Sequence, residues 1–559
     1  MNVLMESLMK NRGWDDDFFQ EIETASQHRM KNIDKLASLL KECHDEQKQI
    51  VILPDFDMDG IMSGTLGFAG LAELGFCVSL FIPDQGRGYG FDKTDIDRLM
   101  SEYPNTKVIL TCDVGSTCYE GIAYAVSLGL EVYVTDHHQV DIVPAGATVL
   151  VNPMQMGDDY EHPGICGAYV LQQCLQCYAD SYGTFHDQEV IRRLRIFAGI
   201  GTISDSMPLL YENRILVRDA VNICKLMYAE GDQSVINGMG TCPVYTRAFQ
   251  GLYHVLSLFH SLGKILTPER IDETFFAYYM APVFNSLKRL NVDVRVAFDV
   301  FFGPDPAGSI AQMNALNEQR KVIVEQYLMQ IKSQSNVYTP YVYVTDAPAG
   351  VLGLLAMKLM LETGMPTFVI RTDGSGYRGS ARAPEWMPMQ EYLKASGLDG
   401  VSVAGHSQAF GIAIDDDAAL EDLFLKLALE IPHVHDEAVK CTTEEKYDFI
   451  ISPYDDGDVW LDFSVLREYV YMRDKLRPFG QNIPAPCGCL ECDAEDVVFK
   501  HVGSVKQHLT MTLPYGFKVF CPNQAGQEPK SGRIRIVGDL NLNTYRDVES
   551  VEFFGKLLV

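Results

Sequence analysis

The chain has 559 residues, 47% hydrophobic and 22% charged, so it can bury several cores and is neither disordered nor fibrous. Its length suggests roughly three to four domains. A formal charge of −29, from 46 basic against 75 acidic residues, excludes a broad nucleic-acid-coating surface but leaves room for a narrow basic channel.

In chain order, residues 1–48 read as a polar helical arm. From Gln49 the pattern alternates between strand and helix. Strands are predicted near 50–54, 77–82, 107–112, 131–135 and 147–151, with helices over 61–74, 93–103 and 117–128. The runs Ile50-Val-Ile-Leu53, Val108-Ile-Leu110 and Val132-Tyr-Val134 are continuous and mostly β-branched, as in a parallel sheet buried on both faces. A helical stretch from about 165 carries Ala198-Gly-Ile-Gly201 just before Asp205, which places that acid at a helix end or tight turn. Residues 215–335 read as a helical connector. A second α/β unit opens at Tyr341-Val-Tyr-Val-Thr345 and continues with a helix over 350–363, a strand at Thr367–Ile370 and Gly-rich turns to about Ile414. The acidic Asp415-Asp-Asp417 stretch follows. Beyond about 440, β-rich runs such as Gly532-Arg-Ile-Arg-Ile-Val537 suggest a small barrel.

Four short segments put acids or histidines where a predicted strand or helix runs out. They are Asp55-Phe-Asp57-Met-Asp59-Gly60, Cys112-Asp113-Val-Gly115, Thr135-Asp136-His137-His138 and Ser204-Asp205. Ligands of open α/β sheets collect outside the carboxyl ends of the strands. Acids converging there repel one another unless cations neutralise them. Oxygen ligands mixed with imidazole suit manganese or magnesium. Asp57 and Asp59 can splay onto two ions at the Gly60 turn, and Asp113, one strand away, is placed to bridge both. His137 and His138 cannot point the same way, so one ligates metal and the other faces a substrate phosphate. Taken singly, each acid is equally read as a helix N-cap; four such segments in one domain argue against that.

Asp136-His137-His138 resembles the name-giving motif of the DHH phosphoesterase superfamily, and the other three segments match its remaining motifs in order. Gly350-Val-Leu-Gly353, Gly379-Ser-Ala-Arg382 and Gly405-His406 through Gly411 resemble the DHHA1 domain that follows it. Ala281-Pro-Val-Phe-Asn285 with Arg289 resembles the connecting segment of the RecJ-like family. Leu476-Arg-Pro-Phe-Gly480, with Asn482 and Pro484, resembles that family's OB-fold entrance.

The fold implied is α/β: a parallel-sheet DHH catalytic domain (49–214), a helical connector (215–335), an α/β DHHA1 substrate domain (336–435) and a C-terminal OB-like β-barrel (436–559). The implied activity is metal-dependent 5′→3′ hydrolysis of single-stranded DNA in recombination and repair. The resemblance implies Asp57, Asp59, Asp113, His137 and Asp205 as ligands of two Mn2+ or Mg2+ ions. Asp55 joins them as a further metal candidate, and Asp136 and His138 join Asp113 and His137 as catalytic candidates. Ser380, Arg382 and Arg289 fall on positions that hold a terminal phosphate, and His406 on one contacting the scissile region. Asn152 reads either as a pocket-wall amide or as turn initiation. Alternatives are a phosphodiesterase for short oligonucleotides or cyclic dinucleotides, and a non-catalytic binding subunit.

The chain departs from the family pattern in three places. Pro-Arg-x-Asn-Ala-Ala-Gly-Arg becomes Pro282-Val-Phe-Asn-Ser-Leu-Lys-Arg289. The loop Ile82-Pro-Asp-Gln-Gly-Arg87-Gly-Tyr-Gly90 is a residue short, and Ala404 replaces a glycine.

In the tail, Lys500, Lys506, Lys530, Arg533 and Arg535 give local positive charge for a single-strand groove, with an ordinary solvated face as the alternative. Cys487, Cys489 and Cys492, with His501, offer a zinc alternative of poor spacing. Phe479 and the Phe275–Met280 stretch read as packing residues. Fourteen scattered cysteines fit reduced thiols. The amino terminus lacks the order of a secretory signal, and no apolar run approaches the ~20 residues of a membrane span. A cytoplasmic protein with no membrane partner is expected, with a single-strand-binding protein or a helicase as candidate partners.

Overall fold

The computed structural model describes residues 2–84, 90–140, 142–231, 242–333, 340–374, 376–441, 447–452, 462–503, 506–545 and 548–558. It divides into two compact units, one of Gln27–Asp205 with Asp219–Thr443, the other of Met1–Ser26, Ser206–Arg218 and Glu444–Val559.

The first unit begins with an all-parallel sheet of β1 (Gln49–Pro54), β2 (Val78–Leu80), β3 (Thr106–Cys112), β4 (Glu131–Thr135) and β5 (Val149–Val151), in the order β2-β1-β3-β4-β5. Ile50, Val51, Ile52 and Leu53 are all fully buried, which explains a run with no polar alternation. On one face Val51, Leu53, Ile109, Val132 and Val134 pack with Ile96, Leu99, Ile122 and Ala125 of α2 (Lys93–Glu102) and α3 (Tyr119–Ser127). On the other, Gly67 of α1 (Met58–Glu73) lies against Ile52 and against Leu171 of α4 (Gly167–Tyr182). The strand order reverses between β1 and β3, which opens the crevice where such sheets bind ligands.

Beyond α5 (Arg195–Ser204), the unit continues through the short α6 (Ser286–Leu290) and the long α7 (Pro306–Ser333). A second sheet follows, built of β6 (Val342–Val344), β7 (Thr367–Asp373), β8 (Gly376–Arg382), β9 (Val401–His406) and β10 (Ala409–Ile414). Its order is β6-β7-β8-β10-β9, with only the β6–β7 pair parallel. The segment expected to form Gly-rich turns is thus largely strand. A Cβ at Gly379 would overlap the Val369 carbonyl, and one at Gly376 the Ile414 carbonyl, so these glycines serve close backbone approach inside a sheet.

The second unit holds a seven-stranded mixed sheet of β11 (Ile450–Ile451), β12 (Gly488–Asp493), β13 (Val498–Val502), β14 (His508–Thr512), β15 (Lys518–Cys521), β16 (Arg533–Tyr545) and β17 (Val548–Leu558). The order is β11-β12-β16-β17-β15-β14-β13. Among the described residues its two edges do not pair, so the sheet is open where a small closed barrel was expected. The run Gly532–Val537 covers less than half of β16, a 13-residue strand paired along its length with β17. Leu490, Cys492, Ile534, Ile536, Leu540 and Phe553 form the core with Tyr469 and Phe479. Arg214 is fully buried and donates to the carbonyl oxygens of Pro478, at 2.8 Å, and Leu476, so the 476–480 motif is held by its backbone. Cys489 and Cys492 stand three residues apart on β12 and so face opposite sides, while His501 pairs with Glu528. These thiols do not converge on a zinc geometry. No helix among the described residues is long and apolar enough to cross a membrane.

Candidate metal centre

Each of the four acidic segments emerges from the end of its strand or helix into one crevice. Asp55 continues β1 by one residue, its N–H donating to the Cys112 carbonyl at 3.1 Å, and is 2% exposed. Asp57 caps α1, accepting from the Gly60 N–H at 3.3 Å. A Cβ at Gly60 would overlap the Asp55 carbonyl, so only glycine lets the first turn close onto the strand end. Asp59, in that turn, accepts from the N–H groups of Gly167 at 2.6 Å and Ala168 at 3.3 Å, at the start of α4. Asp113 follows β3 with a left-handed φ of 64°, a conformation asparagine and aspartate tolerate best. Asp205 caps the C-terminal end of α5, as its position after Gly201 suggested.

Small residues make this density of carboxylates possible. A Cβ at Gly167 would overlap the Asp113 side chain, and one at Gly201 would overlap Asp59 Oδ1. The Gly199/Gly201 pair therefore has a steric purpose at 201.

The DHH triplet divides its work. Asp136 accepts from the N–H groups of Ser116 (2.8 Å), His137 (2.8 Å) and His138 (3.2 Å), and its Oδ1 lies 2.8 Å from His138 Nδ1. It is satisfied by protein and acts as an orienting group. His137 Nε2 lies 3.2 Å from Asp113 Oδ1 and 3.5 Å from Asp205 Oδ2, whereas His138 Nδ1 is 3.9 Å from Asp113 Oδ1. The two rings diverge at 62°, as adjacent strand-end residues must. Asn152 is buried; its amide donates to Ser116 Oγ (2.8 Å) and the His138 carbonyl (2.9 Å), while its Oδ1 accepts from Met154 N–H (2.8 Å). It pins the histidine segment and closes a local turn.

The electrostatics show a site rich in carboxylate charge. Burial, then the charge of Asp57, pushes Asp55 and Asp59 up to about 7. Burial, then Asp59, lifts Asp113 and Asp205 well above the ordinary carboxylate range. Burial also works against Asp136, yet the His138 hydrogen bond and charge outweigh it and hold that carboxyl low. Burial and neighbouring His138 depress His137 to about 4, leaving it neutral and fit to ligate. Burial would depress His138 too, but Asp136 raises it to about 9. Among the described residues neither oxygen of Asp55 has a hydrogen-bond partner. Three overlapping groups, Asp55/Asp57/Asp113, Asp59/His137/Asp205 and Asp113/His137/His138, bring ligand atoms within 4.8 Å of one another. Hard oxygens with a neutral imidazole, short of positive charge, fit Mn2+ or Mg2+, which these three groups would hold.

A second charged group lies in the same unit. Burial, then Arg320 and Arg382, pushes the Arg289 guanidinium down to about 10, and burial lowers Arg320 and Arg382 as well. Arg382 and Ser380 share a face of β8; a Cβ at Gly353 would lie 2.9 Å from Arg382 Nη2 and 3.6 Å from Ser380 Oγ. The backbones of Arg382, Ala409 and His406 are in register across β8, β10 and β9. The His406 side chain and Arg87 lie outside the described residues.

Sequence reasoning missed Asn285, Lys288 and Arg320 as participants. Asn285 Oδ1 accepts from the Met58 N–H at 3.0 Å. Lys288 Nζ lies 3.7 Å from Asp57 Oδ2. Partial burial disfavours its ammonium, but Asp57, Asp55 and Asp113 outweigh that and keep it charged. Arg320 is 8% exposed and donates to Asn317 Oδ1 at 3.1 Å. An arginine one turn after an asparagine in the helical stretch was the available signal for the last.

Comparison with known proteins places this geometry. Residues 49–196 match the DHH family, N-terminal domain. The single-stranded-DNA-specific exonuclease RecJ of Haemophilus influenzae is 24% identical over 93% of this chain and 86% of its own length. That of Bacillus subtilis is 25% identical over 99% of this chain and 67% of its own. The fold matches the crystal structure of RecJ in complex with Mn2+ from Thermus thermophilus with a TM-score of 0.73 at 21% identity, covering 100% of this chain and 76% of that one. Residues 49–196 thus form a DHH-family domain, and the chain as a whole is similar to RecJ exonucleases along most of its length.

Proposed function

We propose that this chain is a metal-dependent exonuclease that hydrolyses the phosphodiester bonds of single-stranded DNA from the 5′ end, in recombination and repair. One observation carries the reading: a buried acid cluster whose carboxylates raise one another and a buried cluster of three arginines stand in one compact unit. A 5′-phosphorylated strand matches both. In this reading Asp55, Asp57, Asp59, Asp113, His137 and Asp205 hold two ions. When bound, these supply neutralisation of the phosphodiester, acidification of the attacking water and stabilisation of the leaving oxygen. Asp136 holds His138 cationic and aimed, so that it stabilises charge growing on the phosphate. Ser380, Arg382, Arg289 and Arg320 hold the terminal phosphate; guanidinium forks suit that oxyanion.

The C-terminal sheet is proposed to serve as an OB-like single-strand groove using Lys500, Lys506 and Lys530. Arg533 and Arg535 already engage Glu491, which tempers their part in it. A cytoplasmic setting with a single-strand-binding protein or helicase as partner belongs to the same proposal.

The test is digestion of end-labelled single strands, duplexes and dinucleotides in Mn2+, Mg2+ and EDTA. The reading expects metal-dependent release of mononucleotides from 5′-phosphorylated single strands. Activity confined to dinucleotides, or none with metal bound, would contradict it.

A further inference from the structure

Helix α6 sends two adjacent basic side chains in different directions. Arg289 joins Arg320 and Arg382. Lys288 turns to the acids, its Nζ 3.7 Å from Asp57 Oδ2 and 4.7 Å from the centroid of the Phe56 ring, which lies between Asp55 and Asp57 in the chain. Asn285, three residues earlier, is bonded to the Met58 N–H, so α6 is docked on the turn that carries Asp57 and Asp59. Ser286 Oγ ties the same helix to the Val283 carbonyl at 2.6 Å. The lysine stem is therefore carried on a helix anchored at its start.

Its ammonium is not consumed by this arrangement. A separation of 3.7 Å is an ion pair without a hydrogen bond, and Asp57 already accepts from Gly60. The Lys288 side chain is 42% exposed, so its donors are open to a ligand arriving in the crevice. Lys288 and Arg289 are adjacent on α6, one beside Asp57 and the other beside Arg320 and Arg382.

We propose that Lys288 contacts the phosphodiester being cleaved, supplying a fixed positive charge between the metal acids and the terminal-phosphate arginines. The proposal rests on the exonuclease reading above. The ammonium pairs loosely with Asp57 while the crevice is empty of substrate and donates to a non-bridging oxygen of the bound phosphate.

Two variants test it, Lys288→Met and Lys288→Arg, in single-turnover cleavage of a 5′-phosphorylated strand at saturating Mn2+, with Mn2+ affinity measured separately. Lys288→Met should slow cleavage on the order of 100-fold, as when one donor to a reacting oxyanion is removed. Lys288→Arg should restore most of the rate, and Mn2+ affinity should hold or tighten in Lys288→Met. Strand binding supplies a readout independent of turnover. Lys288→Met should weaken binding of a strand with a normal first linkage but leave unchanged that of a strand with a neutral methylphosphonate there.

Equal weakening on both strands, a wild-type rate in Lys288→Met, or a loss rescued by more Mn2+ would each overturn the proposal. A wild-type protein that cleaves no strand would overturn the exonuclease reading and this proposal with it. A wild type that cleaves beside an equally fast Lys288→Met would overturn this proposal alone.

Discussion

The acid cluster and the arginine cluster are built from opposite charges by the same means. In the first, burial raises Asp55, Asp59, Asp113 and Asp205; in the second, burial lowers Arg289, Arg320 and Arg382. Among the described residues the acids have Lys288 and His138 beside them and Arg320 has Glu318, so each cluster is only partly offset, and unbalanced buried charge is costly. They differ in what completes them. Carboxylates packed within 4.8 Å demand small, multiply charged ions, whereas planar guanidinium groups beside a serine hydroxyl suit one oxyanion. A protein that keeps both is organised around a ligand carrying phosphate at one end and metal-activated chemistry at the other.

Asp113→Ala should break the comparison most completely, because Asp113 belongs to two of the three ligand groups. We expect cleavage in Mn2+ to fall by at least about 1,000-fold with circular dichroism unchanged. Arg382→Ala attacks the other side. It should leave Mn2+ binding intact and reduce the preference for 5′-phosphorylated over 5′-hydroxyl strands by about 10–100-fold, measured as a ratio of kcat/KM values. Gly201→Ala sharpens the steric half of the argument: the new methyl displaces Asp59, so Mn2+ affinity should fall about 10-fold while single-strand binding in EDTA is unchanged.

The smallest effect is on stability. Asp55 and Asp59 have folded-state values near 7, above the ~3.9 of an unfolded aspartate. Between those values the folded state binds more protons, so the metal-free protein should lose stability as pH rises from about 4 to about 7. Thermal melts in EDTA at about pH 5 and about pH 7.5 check the sign, and saturating Mn2+ should remove the loss. A metal-free protein that melts higher at the upper pH would show that the acids are neutralised from within.

Much of the metal side was legible because the signal is local. A continuous β-branched run ends in an acid, and each of three strands does so. Asp57 does cap a helix and Asp59 accepts from the first N–H groups of α4, whereas Asp55, Asp113 and Asp205 are not helix N-caps, so the capping reading covers only part of the set. The arginine side was harder to read. Gly376-Tyr-Arg-Gly-Ser-Ala-Arg382 looks like a turn because its glycines answer to neighbouring strands, and those contacts are invisible in one segment. The helix Asp417–Cys441 hid behind Asp415-Asp-Asp417, whose acids are N-terminal residues: Asp416 Oδ1 accepts from the Ala419 N–H at 2.9 Å. Lys288 and Asn285 lay in a segment the motif flagged, but their partners did not show, since α6 has five residues and too little length for periodicity. The open C-terminal sheet was missed because strand order is a long-range property, with β15 and β17 paired although β16 lies between them in the chain.

The most direct test of the account counts ions. Metal-free protein titrated with Mn2+, with bound ion measured by loss of the free-ion paramagnetic resonance signal, should bind two ions per chain. The Asp113→Ala variant should lose both high-affinity sites together if the proposed sharing of this carboxylate, which belongs to two of the three ligand groups, holds. No high-affinity ion in the wild type, or two undiminished ions in Asp113→Ala, would contradict it.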